Sequence, residues 1–404
     1  MTNLKKYGTL LSLYLAQSIP MSFFSTVVPV IMRQENYSLE SIGYWQLIKL
    51  PWIIKFLWAP LLDRKGKNRG DYRKMILVSE IFYAVVILSI GFFEISTDFK
   101  LIVILMVIAF VASATQDIAT DAFAILTLKK KERGLGNSMQ SAGSFMGTLV
   151  GSGVLLIIYH HYGWQGLLAG LAGFVLLALI PLYSTKKFEP NEEIEEKERP
   201  VAGLKDIGSF FGQKKTIRQV LTLFLFYSGL IGILAMLKPY FVDLGFEADK
   251  IGFISGIFGT SCGAVAALGA GFIVKRITAR KALILFSFVN MLAASLFLFF
   301  EITGNVLRFI YPLTALIWTA YGMSTVAIYT MAMNWVRPGR EGTDFTIQIV
   351  LTHLSSLFMA VFSGKIADML GYAGLFQIEA IIGLSVFVLI VFLYQNPKEN
   401  ANTR

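Results

Sequence analysis

KLIVILMVIAFVASATQDIATDAFAILT, residues 100–127, decides what kind of chain this is. From Leu101 to Gln116 no charge interrupts an apolar run, and the run continues past Asp117 and Asp121 to Leu126. An α-helix rises about 1.5 Å per residue, so about 20 such residues cross the roughly 30 Å hydrocarbon layer of a bilayer. The surface helix of a soluble protein carries one apolar stripe, whereas this stretch is apolar nearly all round and reads as a membrane span. A charge at mid-bilayer costs about 2.5–3.5 kcal/mol on insertion scales, so each aspartate is expected to face protein or water rather than lipid.

Eleven further runs qualify, giving spans at 8–32, 41–62, 74–95, 100–127, 134–160, 164–184, 217–242, 249–273, 281–301, 305–335, 343–370 and 372–395. Runs ten and eleven are more polar than the rest and are expected to face the interior. The composition agrees: 55% of the 404 residues are hydrophobic and 15% are charged, against about 25% in a soluble domain. The net charge of +10 would by itself suit nucleic acid as a partner, but the cations sit in short spacers between apolar runs, as in lipid-spanning proteins. The first run is longer than the core of a signal peptide and lacks its cleavage pattern, so it reads as a retained span. The single cysteine, Cys262, excludes an intrachain disulfide and reads as a packing residue. With three histidines it offers no metal-ligand spacing, so no metal or cofactor is expected. No nucleophile elbow, phosphate loop or zinc-protease motif appears, so the chain does not read as an enzyme.

The spacers alternate in charge. Of the 36 Lys and Arg, Arg33, Lys100, Lys250 and Arg308 lie on one side; Lys49, Lys55, Lys238 and Lys365 lie within runs; all the others lie on the opposite side. By the positive-inside rule, both termini are cytoplasmic.

The charged stretch 185–216 is expected to be a cytoplasmic linker with a short surface helix. It separates an N-terminal six-helix half, 1–184, from a C-terminal half, 217–404. The halves look related. Tyr37 with Ile42-Gly43 matches Phe246 with Ile251-Gly252; Gly134 and Gln140 match Gly342 and Gln348; Gly163-x-x-Gly166-Leu167 matches Gly371-x-x-Gly374-Leu375. The offset is 208 or 209 residues each time. The expected fold is an all-α integral membrane protein with twelve transmembrane helices in two six-helix parallel repeats, the arrangement of major facilitator transporters, which bind substrate near the midplane.

Ala59-Pro60-Leu61-Leu62-Asp63-Arg64-Lys65-Gly66-Lys67 resembles the loop motif of the major facilitator superfamily, with Ala59 in place of its first glycine. The counterpart after run eight has Lys275 where that motif has aspartate. The segments Trp52-x-x-Lys55-Phe56-Leu57-Trp58-Ala59-Pro60-Leu61, Ala114-Thr115-Gln116-Asp117-Ile118-Ala119-Thr120-Asp121 and Glu132-Arg133-Gly134-x-Gly136 resemble one branch of it. That branch holds the AmpG-type muropeptide permeases, the RhtX/FptX-type siderophore permeases and the acetyl-coenzyme A transporters. Gly342-Thr343-Asp344-Phe345-Thr346-x-Gln348 resembles the siderophore group most. The resemblance implies a secondary transporter of the bacterial inner membrane, importing an organic solute with protons by alternating access. A siderophore-like cargo comes first, a muropeptide close behind and acetyl-coenzyme A third. A membrane-embedded enzyme or sensor is the competing class. The expected partners are a small organic solute, a proton and the lipid bilayer, with no nucleic acid and a monomeric state.

The polar residues inside the runs are the candidate site. Asp117 and Asp121 are four apart on one helix face, a spacing that suits proton carriage; Asp121 reads first as a gate paired with Arg64 or Arg133. His353 is a third proton-coupling candidate against the alternative of a packing residue. Lys49 reads as a cavity cation for an anionic substrate, or as the partner of an acid such as Asp117. Gln17, Gln46, Gln140 and Gln348 are candidate neutral substrate contacts. Asp63, Arg64, Lys55, Arg133 and Asp344 are candidate gating residues, Lys55 chiefly as one member of an ion pair. Glu379 is a lower-ranked coupling acid without an obvious partner.

Overall fold

The structure is a computed structural model and describes residues 3–34, 45–94, 97–184 and 201–394. Among the described residues every regular element is helical, and each of the twelve apolar runs is mostly helical over its described residues. Six helices there are long and apolar enough to cross a membrane by length and composition, and two of these, Lys130–Tyr183 and Glu341–Tyr394, carry two runs apiece.

Those two long helices turn at Gly163 (φ 64°, ψ −162°) and Gly371 (φ 69°, ψ 179°). Only glycine occupies this backbone region at low cost, because any Cβ is strained there. The two glycines are 208 residues apart, the offset of the sequence repeat, so the related runs share one backbone device. The first repeat match, around Tyr37 and Ile42, lies outside the described residues.

Proline explains two irregularities. The first span runs as Asn3–Ser22, a π-helical turn at Phe23–Val27, then Val28–Gln34. Pro29 cannot donate to the carbonyl four residues back, Ser25, and the wide turn falls there. The second span is not one helix. It proceeds through a 3₁₀ turn at Gln46–Lys49, a short helix at Leu50–Ile54, a 3₁₀ turn at Lys55–Leu57 and a helix at Ala59–Lys65. The break precedes Pro60 and places Lys55 at its start.

The chain divides into two compact units: Met1–Phe210 with Met333–Ile347, and Phe211–Ala332 with Gln348–Arg404. The first has a core of Phe23, Phe24, Ile87, Phe110 and Leu171, all essentially inaccessible; the second is built on Leu230, Phe241, Phe297, Ile317 and Phe376. In the first unit Gly143, Gly147 and Gly151 face the backbone of Leu11, Leu15 and Ile19 so closely that added Cβ atoms would overlap it. Small residues at this spacing let membrane helices approach where hydrophobic burial supplies no drive. The outer faces are apolar, with Val78, Phe82 and Val85 exposed on one unit and Val265, Leu357 and Phe362 on the other. These surfaces suit lipid. The 185–216 stretch contains a short helix, Lys205–Phe211, whose Phe210 is fully buried.

Candidate functional site

Within the first unit, one cation and two carboxylates share a site closed to solvent. Lys55 is 1% exposed, and Asp117 and Asp121 are 2% exposed. Lys55 Nζ donates to Asp117 Oδ2 and lies 4.6 Å from the Trp52 ring centroid. Gln17 Nε2 donates to the other oxygen of Asp117. Asp121 Oδ1 accepts from the Tyr14 hydroxyl at 2.8 Å and from Gln140 Nε2 at 3.4 Å. The four-residue spacing on the Phe99–Thr127 helix puts both acids toward the first helix, whose Tyr14 and Gln17 are one turn apart. The 3₁₀ break ahead of Pro60 supplies Lys55 from a third element. With both acids ionised the cluster carries one uncompensated negative charge; with one neutral it carries none. The carbonyl oxygens of Gln17 and Gln140 are buried without hydrogen-bond partners, as are both amide atoms of Gln116.

This geometry corrects two expected pairings. Asp121 binds Tyr14 and Gln140, not Arg64 or Arg133. Arg64 is exposed, while Arg133 Nη1 donates to the Met333 carbonyl at 2.7 Å and to Asn334 Oδ1 at 2.9 Å. The acid's short side chain stays with the donors one helix away. Asp117 is paired by Lys55 rather than by Lys49, which is half-buried and makes no ion pair among the described residues.

A second polar centre surrounds the start of the Glu341–Tyr394 helix. Asp63 accepts from the backbone N–H groups of Gly342 (2.9 Å) and Thr343 (2.7 Å), the Thr343 hydroxyl (2.6 Å) and the Tyr72 hydroxyl (2.6 Å). First-turn N–H groups have no partner inside their own helix, and a carboxylate there meets the positive end of the helix dipole. Burial lifts the Asp63 carboxyl above its ordinary range, against the pull of these four donors. Asp344 receives Arg337 through two nitrogens, at 2.7 and 2.6 Å. Arg337 also reaches Ser209 Oγ (2.7 Å) and the Asp206 carbonyl (3.0 Å), and Arg340 Nε meets Asp206 Oδ1 at 2.5 Å. The linker helix is thereby tied to the 335–340 turn. Burial pushes the Asp206 carboxyl up, but the hydrogen bonds from Arg340 and Gly203 and the charges of Arg340 and Arg337 outweigh it and hold the group below its usual range.

The remaining candidates are dispersed. Gln348 is fully buried in the second unit, accepting from Gln219 at 2.6 Å and donating to the Ala332 carbonyl at 3.1 Å. These two bonds are of the kind a packing residue makes. His353 is exposed on that unit. The Gln46 side chain lies outside the described residues. Sequence reading missed Tyr14, Tyr72 and Thr343 as partners of the acids, and Asp206 as a strut. It also passed over Glu80, an acid in run three that is 3% exposed; its position inside an apolar run was the available signal.

The Major Facilitator Superfamily profile matches residues 10–323 and 220–404. The chain belongs to that superfamily. It is a multi-pass membrane transporter with twelve helices in two repeats, not an enzyme. It is 26% identical over 397 residues to the anhydromuropeptide permease of Escherichia coli K12, covering 94% of this chain and 78% of that one. It is also 25% identical to an AmpG-named transporter of Rickettsia typhi, covering 96% of this chain and 94% of that one. The human organic anion transporter MFSD10 superimposes with a TM-score of 0.74 at 13% identity, over 96% of this chain and all of that one. FucP in its outward conformation superimposes with a TM-score of 0.70 at 14% identity, over 97% of this chain and 99% of that one. These two likenesses establish the fold alone.

Proposed function

We propose that this transporter is a proton-coupled importer of an anhydromuropeptide-type solute across the bacterial inner membrane, with both termini in the cytoplasm. The observation that carries the cargo is the near-complete alignment with a permease of that name. The siderophore reading rested on the Gly342–Gln348 stretch. There Gly342 and Thr343 serve the Asp63 cap, and Gln348 accepts from Gln219. The Lys55–Asp117–Asp121 cluster supports coupling: it is neutral with one proton bound and carries one buried negative charge once that proton is released, so it favours holding a single proton. Lys49, half-buried and unpaired among the described residues, suits a substrate carboxylate. The halves 1–184 and 217–404, joined by 185–216, serve as the two bodies of alternating access, and the Asp63 and Asp344 networks hold one conformation.

The test is uptake by proteoliposomes of a radiolabelled disaccharide–peptide carrying a 1,6-anhydro sugar. Accumulation driven by an inward proton gradient and abolished by a protonophore is expected. Uptake indifferent to the gradient refutes the coupling. Transport of a ferric siderophore in place of the muropeptide refutes the cargo.

A further inference from the structure

A second carboxyl group is buried in the other unit, and the Lys55 cluster makes no use of it. Glu379 is fully inaccessible. Its Oε1 accepts from Ser363 Oγ at 2.7 Å, while its Oε2 is buried without a hydrogen-bond partner. Gly232 makes room for it, since a Cβ there would overlap both the Glu379 carboxyl and Ser363 Oγ. Charged groups on the elements around it include Lys238 and Asp243 on the Ser228–Asp243 helix, Lys365 and Asp368 beyond Ser363, and Glu301 on the Thr260–Ile302 helix. None forms an ion pair with Glu379; the first four are exposed and Glu301 is half-buried, accepting from the Tyr240 hydroxyl. The fold itself does not require an acid here. At the 208-residue offset shared by Gly163 and Gly371, the positions matching Glu379 and Ser363 are Leu171 and Leu155, both fully buried. Apolar packing therefore closes the equivalent place in the first unit.

We propose that Glu379, with Ser363, forms a second proton-binding site in the transporter, in the C-terminal half and separate from the Lys55–Asp117–Asp121 cluster. A proton added to Oε2 turns the carboxylate into a neutral acid, with Ser363 still donating to Oε1. Burying a neutral carboxyl with one hydrogen bond costs far less than burying an unpaired anion. The proton is therefore held while the site is closed and given up only when water reaches Oε2.

Infrared difference spectra of the full chain in detergent, without substrate, test this. The wild-type protein is expected to show the carbonyl stretch of a protonated carboxylic acid, shifted in D₂O, that is lost in Glu379→Gln and retained in Asp117→Asn and Asp121→Asn. Because no solute is present, this outcome stands apart from the cargo and coupling tests above. Glu379→Leu, which copies Leu171, provides a second variant and is expected to fold and to lose the same band. If Glu379→Gln and Glu379→Leu both fold and leave every protonated-carboxyl band in place, Glu379 is an ionised structural residue and the proposal is wrong.

Discussion

Replacing Lys55 by Met keeps the unbranched apolar stem of the side chain and removes the terminal cation. The cluster then holds two carboxylates and no positive charge, one helical turn apart on one face. Two unit charges about 5 Å apart at an effective dielectric of about 20 repel by about 3 kcal/mol, and removing one partner of a buried ion pair typically costs about 3–5 kcal/mol. Asp117→Asn is different, because Lys55 then balances Asp121 and the cluster stays neutral. Lys55→Met is therefore expected to cost about 3–5 kcal/mol, Asp117→Asn about 1 kcal/mol, and the double variant less than Lys55→Met alone. Equilibrium unfolding in mixed micelles, arranged as a double-mutant cycle, measures each value. A cost below about 1 kcal/mol for Lys55→Met, or strict additivity in the cycle, would refute the picture of one cation shared by two buried acids.

Three other outcomes follow from the geometry. Asp63→Asn keeps the shape but withdraws the negative charge from a helix N-terminus, and about 0.5–2 kcal/mol of stability is expected to be lost; hydrogen exchange at the Gly342 and Thr343 amides should rise, and unchanged protection would count against the cap. Gly163→Ala and Gly371→Ala force a Cβ into the same backbone region and should destabilise by similar amounts, about 1–3 kcal/mol each in thermal unfolding; a neutral effect at either would show that the turn is not constrained. The Asp206 carboxyl lies below its ordinary value of 3.8, so its contribution to holding the linker helix is complete above that pH and fades as pH falls through its lower folded value. Proteolysis of the linker should therefore be flat with pH in the wild type above pH 3.8 and uniformly faster in Asp206→Asn; a wild-type transition near neutral pH would contradict this assignment.

Much of the site was legible in part. The spacing of Asp117 and Asp121 announced a shared face, and the cost of charge in lipid announced that each needed company. Lys55 was expected in an ion pair, but its partner was not readable, because the turn that aims it is a 3₁₀ break set by Pro60 rather than a continuation of a regular helix. The helical wheel of an ideal span misplaces every residue after such a break. Tyr14 and Gln17 lie about 100 residues from the acids they serve, and no local pattern joins them. Gln348 looked like a cavity residue, yet it spends its amide on Gln219 and a backbone carbonyl. The linker helix was anticipated as a surface element, whereas its ties to Arg337 and Arg340 depend on a turn some 130 residues away.

The sequence alone determined the membrane spans, the repeat and the branch of transporters it resembles. Lipid imposes a local rule of about 20 apolar residues per crossing, and a repeat at a constant offset is visible without coordinates. Even the two glycine turns were marked, since a backbone that excludes Cβ leaves its trace in residue type. Which charge meets which was decided only by tertiary structure. Ion pairing inside a membrane depends on the approach of different helices to within about 3 Å, and on where proline interrupts them. Neither is a property of any single stretch of chain.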